Sequence, residues 1–321
     1  MRRWPAIIGL LAIAGCAAET DRLALSESVS AGGQCPLVQL ATMPVLAHEN
    51  LLYVQAEIDG APLKLLLDTG AERTLLTEAT VERLRLPRDH QHATRTFGIG
   101  SPTASWDADL PHGLTLGGTP FPVRAVTVGR FAMDRVAGGG ADGLLGADIL
   151  LAFDMDLDLP DGRLTLYRAR RGCPDAVPPW PVPYVRITGV TAKRDRLLLP
   201  FLLDGVQGMA VLDTGAQLTS FSVRMAERTG LEEEQLANDR VVTARGAAPD
   251  NVSAHIHQFR ELRIGPAIVR DPRLPVVPMS SGIGDALVGA DFFKGRRAWI
   301  AFATQQVYVT LLAPHAAIAR D

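Results

Sequence analysis

The sequence predicts an all-β chain with short helices, folded as two tandem lobes related by a pseudo-twofold axis. Three observations carry this prediction. The first is an internal repeat: Ile58-Asp59-Gly60 through Leu67-Asp68-Thr69-Gly70-Ala71 recurs as Leu203-Asp204-Gly205 through Leu212-Asp213-Thr214-Gly215-Ala216, offset by 145 residues. The second is texture. Short runs of Val, Leu and Thr are broken by Gly, Pro and Asp, and the chain holds 30 glycines and 22 prolines, as strands joined by tight turns require. The third is a break between the copies, residues 173–183, with five prolines.

A length of 321 residues fits about two domains, and 47% hydrophobic residues can fill a core in each. The 32 basic and 35 acidic residues leave a net charge of −3, which argues against nucleic acid as a partner.

Residues 1–15 read as a signal peptide. Arg2 and Arg3 precede a short apolar stretch, too short to span a bilayer as a helix. The stretch ends in Ile13-Ala14-Gly15-Cys16, which resembles the lipobox of bacterial lipoproteins. That resemblance implies cleavage before Cys16 and lipidation of its sulfur, hence a membrane anchor. Ala17, where an aspartate would signal the inner membrane, implies an outer-membrane lipoprotein facing the periplasm. The alternative is an ordinary secretory signal that happens to end near a cysteine. Removing residues 1–15 removes two arginines and makes the net charge −5. The remaining cysteines, Cys35 and Cys173, each precede a proline and each lie just upstream of one repeat. In an oxidising compartment they could form a disulfide; two free thiols are the alternative.

Residues 16–40 read as a tether, 41–170 as the first lobe, 171–183 as a stiff linker, 184–313 as the second lobe and 314–321 as a tail. Within the first lobe, 51–58 and 63–67 are strand-like and flank the hairpin turn Asp59-Gly60. Thr77 and Ser222 read as N-caps of short helices over 78–84 and 223–229. Asp161-Gly162 marks a hairpin between 153–159 and 163–167, and the chain closes with strands over 298–302 and 306–311.

Each apolar strand, 65–67 and 210–212, runs directly into Asp-Thr-Gly. A lone buried carboxylate is costly, so it marks a site of function or has a dedicated partner. A pseudo-twofold axis lets Asp68 and Asp213 meet and share one proton. One carboxylate would take a proton from water while the other donates to a scissile carbonyl. Asp68 and Asp213 are therefore the candidate catalytic residues. Thr69 and Thr214 would hydrogen-bond across the axis, and Gly70 and Gly215 would let the backbone turn closely beneath the carboxylates. A single Asp-Thr-Gly would be a turn; two copies in matching strand-turn-helix contexts are far more specific.

The string Leu-Asp-Thr-Gly-Ala-x-x-Thr, at Leu67 to Thr74 and again at Leu212 to Thr219, resembles the active-site signature of retropepsin-like aspartic proteases. Leu144-Leu145-Gly146 and Leu287-Val288-Gly289 match the family's second signature. The resemblance implies two retropepsin-like β-barrel lobes and hydrolysis of an extended polypeptide in one monomer, an intramolecular pseudo-dimer. It implies no metal and no cofactor. It also assigns supporting roles to Thr69, Gly70, Ala71, Thr74, Thr214, Gly215, Ala216 and Thr219, and to Leu145, Gly146, Val288 and Gly289. Glu72 and Gln217 stand where many viral members carry aspartate, and Ala147 and Ala290 where they often carry arginine, so that ion pair is absent or replaced. Flap candidates lie at 97–100 and 245–247; ordinary surface hairpins are the alternative.

Other chemistry is thinly supported. His90 with His92, and His255 with His257, lack a companion cluster of zinc-like spacing and read as solvated loop histidines. Asp148 and Asp291 start short helices and read as capping backbone amides rather than doing chemistry. A non-catalytic peptide-binding lipoprotein using the same cleft is the second functional class, set against two intact aspartates.

Overall fold

A computed structural model describes residues 37–96, 103–129, 140–168, 177–192, 196–245, 251–279 and 283–311. Cys16, Cys35 and Cys173 lie outside the described residues, as do the flap candidates at 97–100 and 246–247.

Local sequence explains the repeated hairpin. Asp59 and Gly60 both take positive φ (52° and 76°), as do Asp204 and Gly205 (49° and 84°). That conformation matches the twist of the flanking strands and suits Asp-Gly. The turns join Leu51–Ile58 to Ala61–Leu67, and Leu197–Leu203 to Val206–Leu212. Leu197–Leu203 alternates buried and half-buried side chains, so one face packs on the core.

In each lobe, the second strand of the hairpin lies parallel to a short strand from the second signature. Leu67 pairs with Leu145, and Leu212 with Val288. Gly143–Leu145 also pairs antiparallel with Leu75–Thr77, and Ala286–Val288 with Ser220–Ser222. The predicted helices follow. Glu78–Leu84 is capped by Thr77, whose hydroxyl accepts the Thr80 N–H, and Val223–Arg228 by Ser222, which accepts from Met225. A further helix, Glu233–Ala237, carries a capping box of Glu232 and Gln235 that the sequence reading passed over.

Two long strand pairs form an outer edge of each sheet: Arg88–Thr96 with Thr103–Asp109, and Arg240–Arg245 with Asn251–Gln258. Their polar composition hid them from a search for apolar runs. They also place both histidine pairs on strands rather than in loops. His257 is accounted for by its neighbours. Its Nδ1 lies 2.6 Å from Asp239 Oδ2, and its ring meets Phe259 edge-on. Among the described residues no group of three or more His, Cys, Asp or Glu is placed to hold a metal ion.

The lobes are not separate sheets. Tyr184–Thr188, Arg297–Ala301 and Gln306–Thr310, all from the second repeat, join the sheet of the first. The seam is Phe153–Asp158 against Arg297–Ala301, in register from Asp154 with Ala301 to Asp158 with Arg297. Asp156 is buried there. It receives Nε of Arg297 at 2.8 Å, Nη2 at 2.6 Å, and Nε1 of Trp180 at 3.3 Å. The Arg297 guanidinium lies over the Trp180 ring, 5.1 Å from its centroid. The described end of the linker is thus anchored to the seam, not a free spacer. The first strand, Gln39–His48, begins inside the expected tether because Gln39 pairs with Tyr167. One contiguous apolar core runs through both lobes, from Met43 to Val309.

Candidate active site

Asp68 and Asp213 sit at the ends of buried strands, each held by the second signature of its own lobe. The Asp68 N–H donates to Leu145 O and the Asp213 N–H to Val288 O, both at 3.0 Å. Oδ1 of Asp68 accepts N–H bonds from Gly70 and Ala71 at 3.0 and 2.9 Å. Oδ1 of Asp213 accepts those of Gly215 and Ala216 at 3.0 and 3.1 Å. These donors favour the ionised form and orient each carboxylate.

The two carboxyls face each other and are hydrogen-bonded together. Burial raises both above the usual carboxylate range. For Asp68 the neighbouring Asp213 charge raises it further. Each keeps part of its surface open to solvent, so a reactant can reach a pair otherwise walled by protein. Two acids this close titrate as a unit, and one proton is shared between them.

The glycines lie in turns beneath the carboxylates, as the sequence reads. Neither Gly70 nor Gly215 has positive φ. A Cβ on Gly70 would lie 2.4 Å from Cγ of Asp213, and one on Gly215 would lie 2.4 Å from Cγ of Asp68. Each glycine makes room for the carboxyl of the other lobe, so glycine is required there for space and not for a left-handed φ.

Thr69 and Thr214 are almost wholly buried and reach across the axis. The N–H of each donates to the hydroxyl oxygen of the other at 3.1 Å. Each hydroxyl donates at 2.7 Å to the carbonyl preceding the opposite aspartate, Thr69 to Leu212 and Thr214 to Leu67. Every donor and acceptor in this ring of four bonds is satisfied.

The rest of each signature braces the loop. Ala147 N–H donates to Ala71 O, and Ala290 N–H to Ala216 O, both at 2.8 Å. Gly146 N–H donates to Thr74 Oγ1 at 3.0 Å and Gly289 N–H to Thr219 Oγ1 at 3.2 Å. Added Cβ atoms on Gly146 or Gly289 would strike the backbone at Arg73 or Leu218.

Three functional partners were missed or read only in part. Asp148 Oδ1 accepts from both N–H and hydroxyl of Thr74, and Asp291 Oδ1 from those of Thr219, all at 2.8 Å. Each also accepts a backbone amide of its own short helix, Ile149 N–H at 3.0 Å and Phe292 N–H at 2.9 Å, so these aspartates cap amides as the sequence reads and also tie the active-site loop to the second signature. This tie stands where the arginine of the viral signature is lacking. Their shared place in the repeat was the available signal. The third, Arg196, stands just before the strand Leu197–Leu203, and its charge works against the effect of burial on Asp213. The repeat could not flag it, because its counterpart is Leu51.

Residues 54–149 match the aspartyl protease family model, and residues 199–295 match that of the gag-polyprotein putative aspartyl protease. The chain is 29% identical over 123 residues to DNA damage-inducible protein 1 of Phaeosphaeria nodorum, a stretch covering 37% of this chain and 26% of that protein. The chain thus matches about a quarter of that relative's length. An aspartic proteinase from Irpex lacteus, known from its crystal structure, aligns with a TM-score of 0.49 and 11% identity, over 87% of this chain and 99% of the other. The two family matches fall on the two copies of one loop and together cover more than half of the chain, which belongs to the retropepsin-like aspartic proteases with both units in a single polypeptide.

Proposed function

We propose that this protein is an aspartic endopeptidase in which water is activated between Asp68 and Asp213. The observation that carries the reading is the hydrogen-bonded pair of carboxyls, one from each lobe, each oriented by two N–H donors. The ionised carboxylate takes a proton from water as the oxygen attacks the scissile carbonyl. The other carboxyl donates its proton to the carbonyl oxygen. The resulting gem-diol collapses as the C–N bond breaks. The nitrogen takes the proton held by the first carboxyl, and a diol hydroxyl returns a proton to the second. The products are an acid and an amine, and the dyad is restored. The two long hairpins, spanning 88–109 and 240–258, support an extended polypeptide as substrate, since such ribbons can flank a chain lying over the dyad.

The test is digestion of a diverse peptide library between about pH 3 and 8, the range in which carboxyl pairs titrate. Cleavage is expected from wild type and not from a folded Asp213→Asn variant. Cleavage by neither favours the non-catalytic peptide-binding alternative, and equal cleavage by both removes Asp213 from the mechanism. Activity should elute with the monomer, since one chain supplies both aspartates.

The leader and Cys16 support a lipid-anchored protein of the bacterial envelope, held to the outer membrane and facing the periplasm. Cys16→Ser should release it from membranes; unchanged retention would count against the anchor. A disulfide between Cys35 and Cys173 is supported by the nearest described strands, because Arg168 N–H donates to Val38 O at 2.9 Å. Alkylation without reductant should then leave both thiols unmodified.

A further inference from the structure

The repeat is broken at one position beside the dyad. In lobe one, Tyr53 pairs with Leu66, so the register carries Leu51 to the place opposite Asp68. In lobe two, Leu198 pairs with Val211, and the same register carries Arg196 to the place opposite Asp213. Leu51 is buried in an apolar cluster with Tyr53, Leu66 and Leu75. Arg196 is half-buried, just before Leu197–Leu203, and its carbonyl accepts the Ala192 N–H at 2.9 Å. Side chains two residues apart along extended chain share a face, so Arg196 and Asp213, each two residues beyond the Leu198–Val211 pair at the same end, fall on that pair's side. A cation there favours the ionised carboxylate, which offsets part of the effect of burial on Asp213. At the matching place in lobe one stands the uncharged Leu51.

The other charged groups near the pair do not cancel the asymmetry. Asp68 faces Asp213 from the opposite loop. Asp291, after the strand Ala286–Val288, is turned onto Thr219 and Phe292. Asp148 is turned onto Thr74 and Ile149 in the same way.

We infer that Arg196 is a positioning residue that decides which carboxyl keeps the shared proton: Asp68 holds it and Asp213 is the ionised partner. Its catalytic meaning rests on the endopeptidase reading, in which Asp213 is then the base that deprotonates water and Asp68 the acid that protonates the carbonyl. The proton on Asp68 passes to the carbonyl oxygen as the carbon–oxygen bond to water forms. The site of the proton is a property of the resting protein and can be read without any substrate.

The experiment is a carbon-13 NMR titration of the full chain labelled at the aspartate carboxyls, with Asp68→Asn and Asp213→Asn assigning the two signals. In wild type the first ionisation should appear on Asp213. Arg196→Gln should raise that step by about one pH unit, a tenfold change in proton affinity, while Arg196→Lys should leave it near wild type. Superimposable titrations of wild type and Arg196→Gln would overturn the inference. So would a wild-type proton residing on Asp213, which decides the matter even if Arg196→Gln fails to fold. The pH profile of peptide cleavage should shift upward in Arg196→Gln by the same amount as the titration. Wild type that cleaves nothing would speak against the endopeptidase reading and leave the titration to judge the role of Arg196.

Discussion

Thr69 and Thr214 hold one another through a closed ring of hydrogen bonds, each accepting the other's N–H at 3.1 Å and each donating at 2.7 Å into the opposite lobe. The ring lies directly behind the two aspartates, so the distance between the carboxyls is set by bonds made one residue away.

Thr214→Val keeps the shape and removes the hydroxyl. It leaves the buried Thr69 N–H and Leu67 carbonyl unpaired, at about 1–3 kcal/mol each. Urea unfolding should show a loss of that order, and Thr214→Ser should recover most of it. A Val variant as stable as wild type would mean that the ring does not tie the lobes together.

Gly70→Ala tests the space between the lobes. Its Cβ would lie 2.4 Å from Cγ of Asp213, so the opposing carboxyl must move. Because a misplacement of about 1 Å can cost 100-fold, activity should fall at least that far while the fold survives. The peptide assay beside circular dichroism checks this. Near-normal activity would show that the pair tolerates displacement.

The dyad should also leave a mark on stability. Burial raises the Asp68 carboxyl above its unfolded value, so between the unfolded and folded values the native state binds more protons. Stability therefore falls as pH rises through that window. Asp68→Asn removes the effect. The variant should be more stable than wild type near neutrality, with the difference shrinking as pH falls through that window and gone below about pH 4, where the unfolded carboxyl is also protonated. Denaturant midpoints at several pH values decide it, and a pH-independent difference would be contrary to the expectation.

At the seam, Asp156→Ala leaves the Arg297 guanidinium without its two shortest bonds and takes the acceptor from Trp180. Breaking one side of such a buried pair costs about 3–5 kcal/mol. The double change Asp156→Ala with Arg297→Met should cost less than Asp156→Ala alone. Equal losses would mean that the charge pair is not what holds the linker and the two repeats together there.

Much of this molecule was legible in one dimension. Asp59-Gly60 and Asp204-Gly205 are turn chemistry, Thr77 and Ser222 are cap chemistry, and both are decided by neighbours a few residues away. The polar hairpins were not legible, because strands such as Arg88–Thr96 show no apolar alternation to find. Nor was the tie from Asp148 to Thr74 and from Asp291 to Thr219, partners more than seventy residues away.

By itself the sequence determined that two like loops exist, each ending a buried strand in Asp-Thr-Gly, since repetition is written in the residues. Only the tertiary structure decided what those loops do to each other. It set a glycine of each loop against the aspartate of the other and carried three strands of the second repeat into the sheet of the first. The physical reason is that contacts between residues 145 apart depend on how whole lobes pack, and no local preference along the chain encodes that packing.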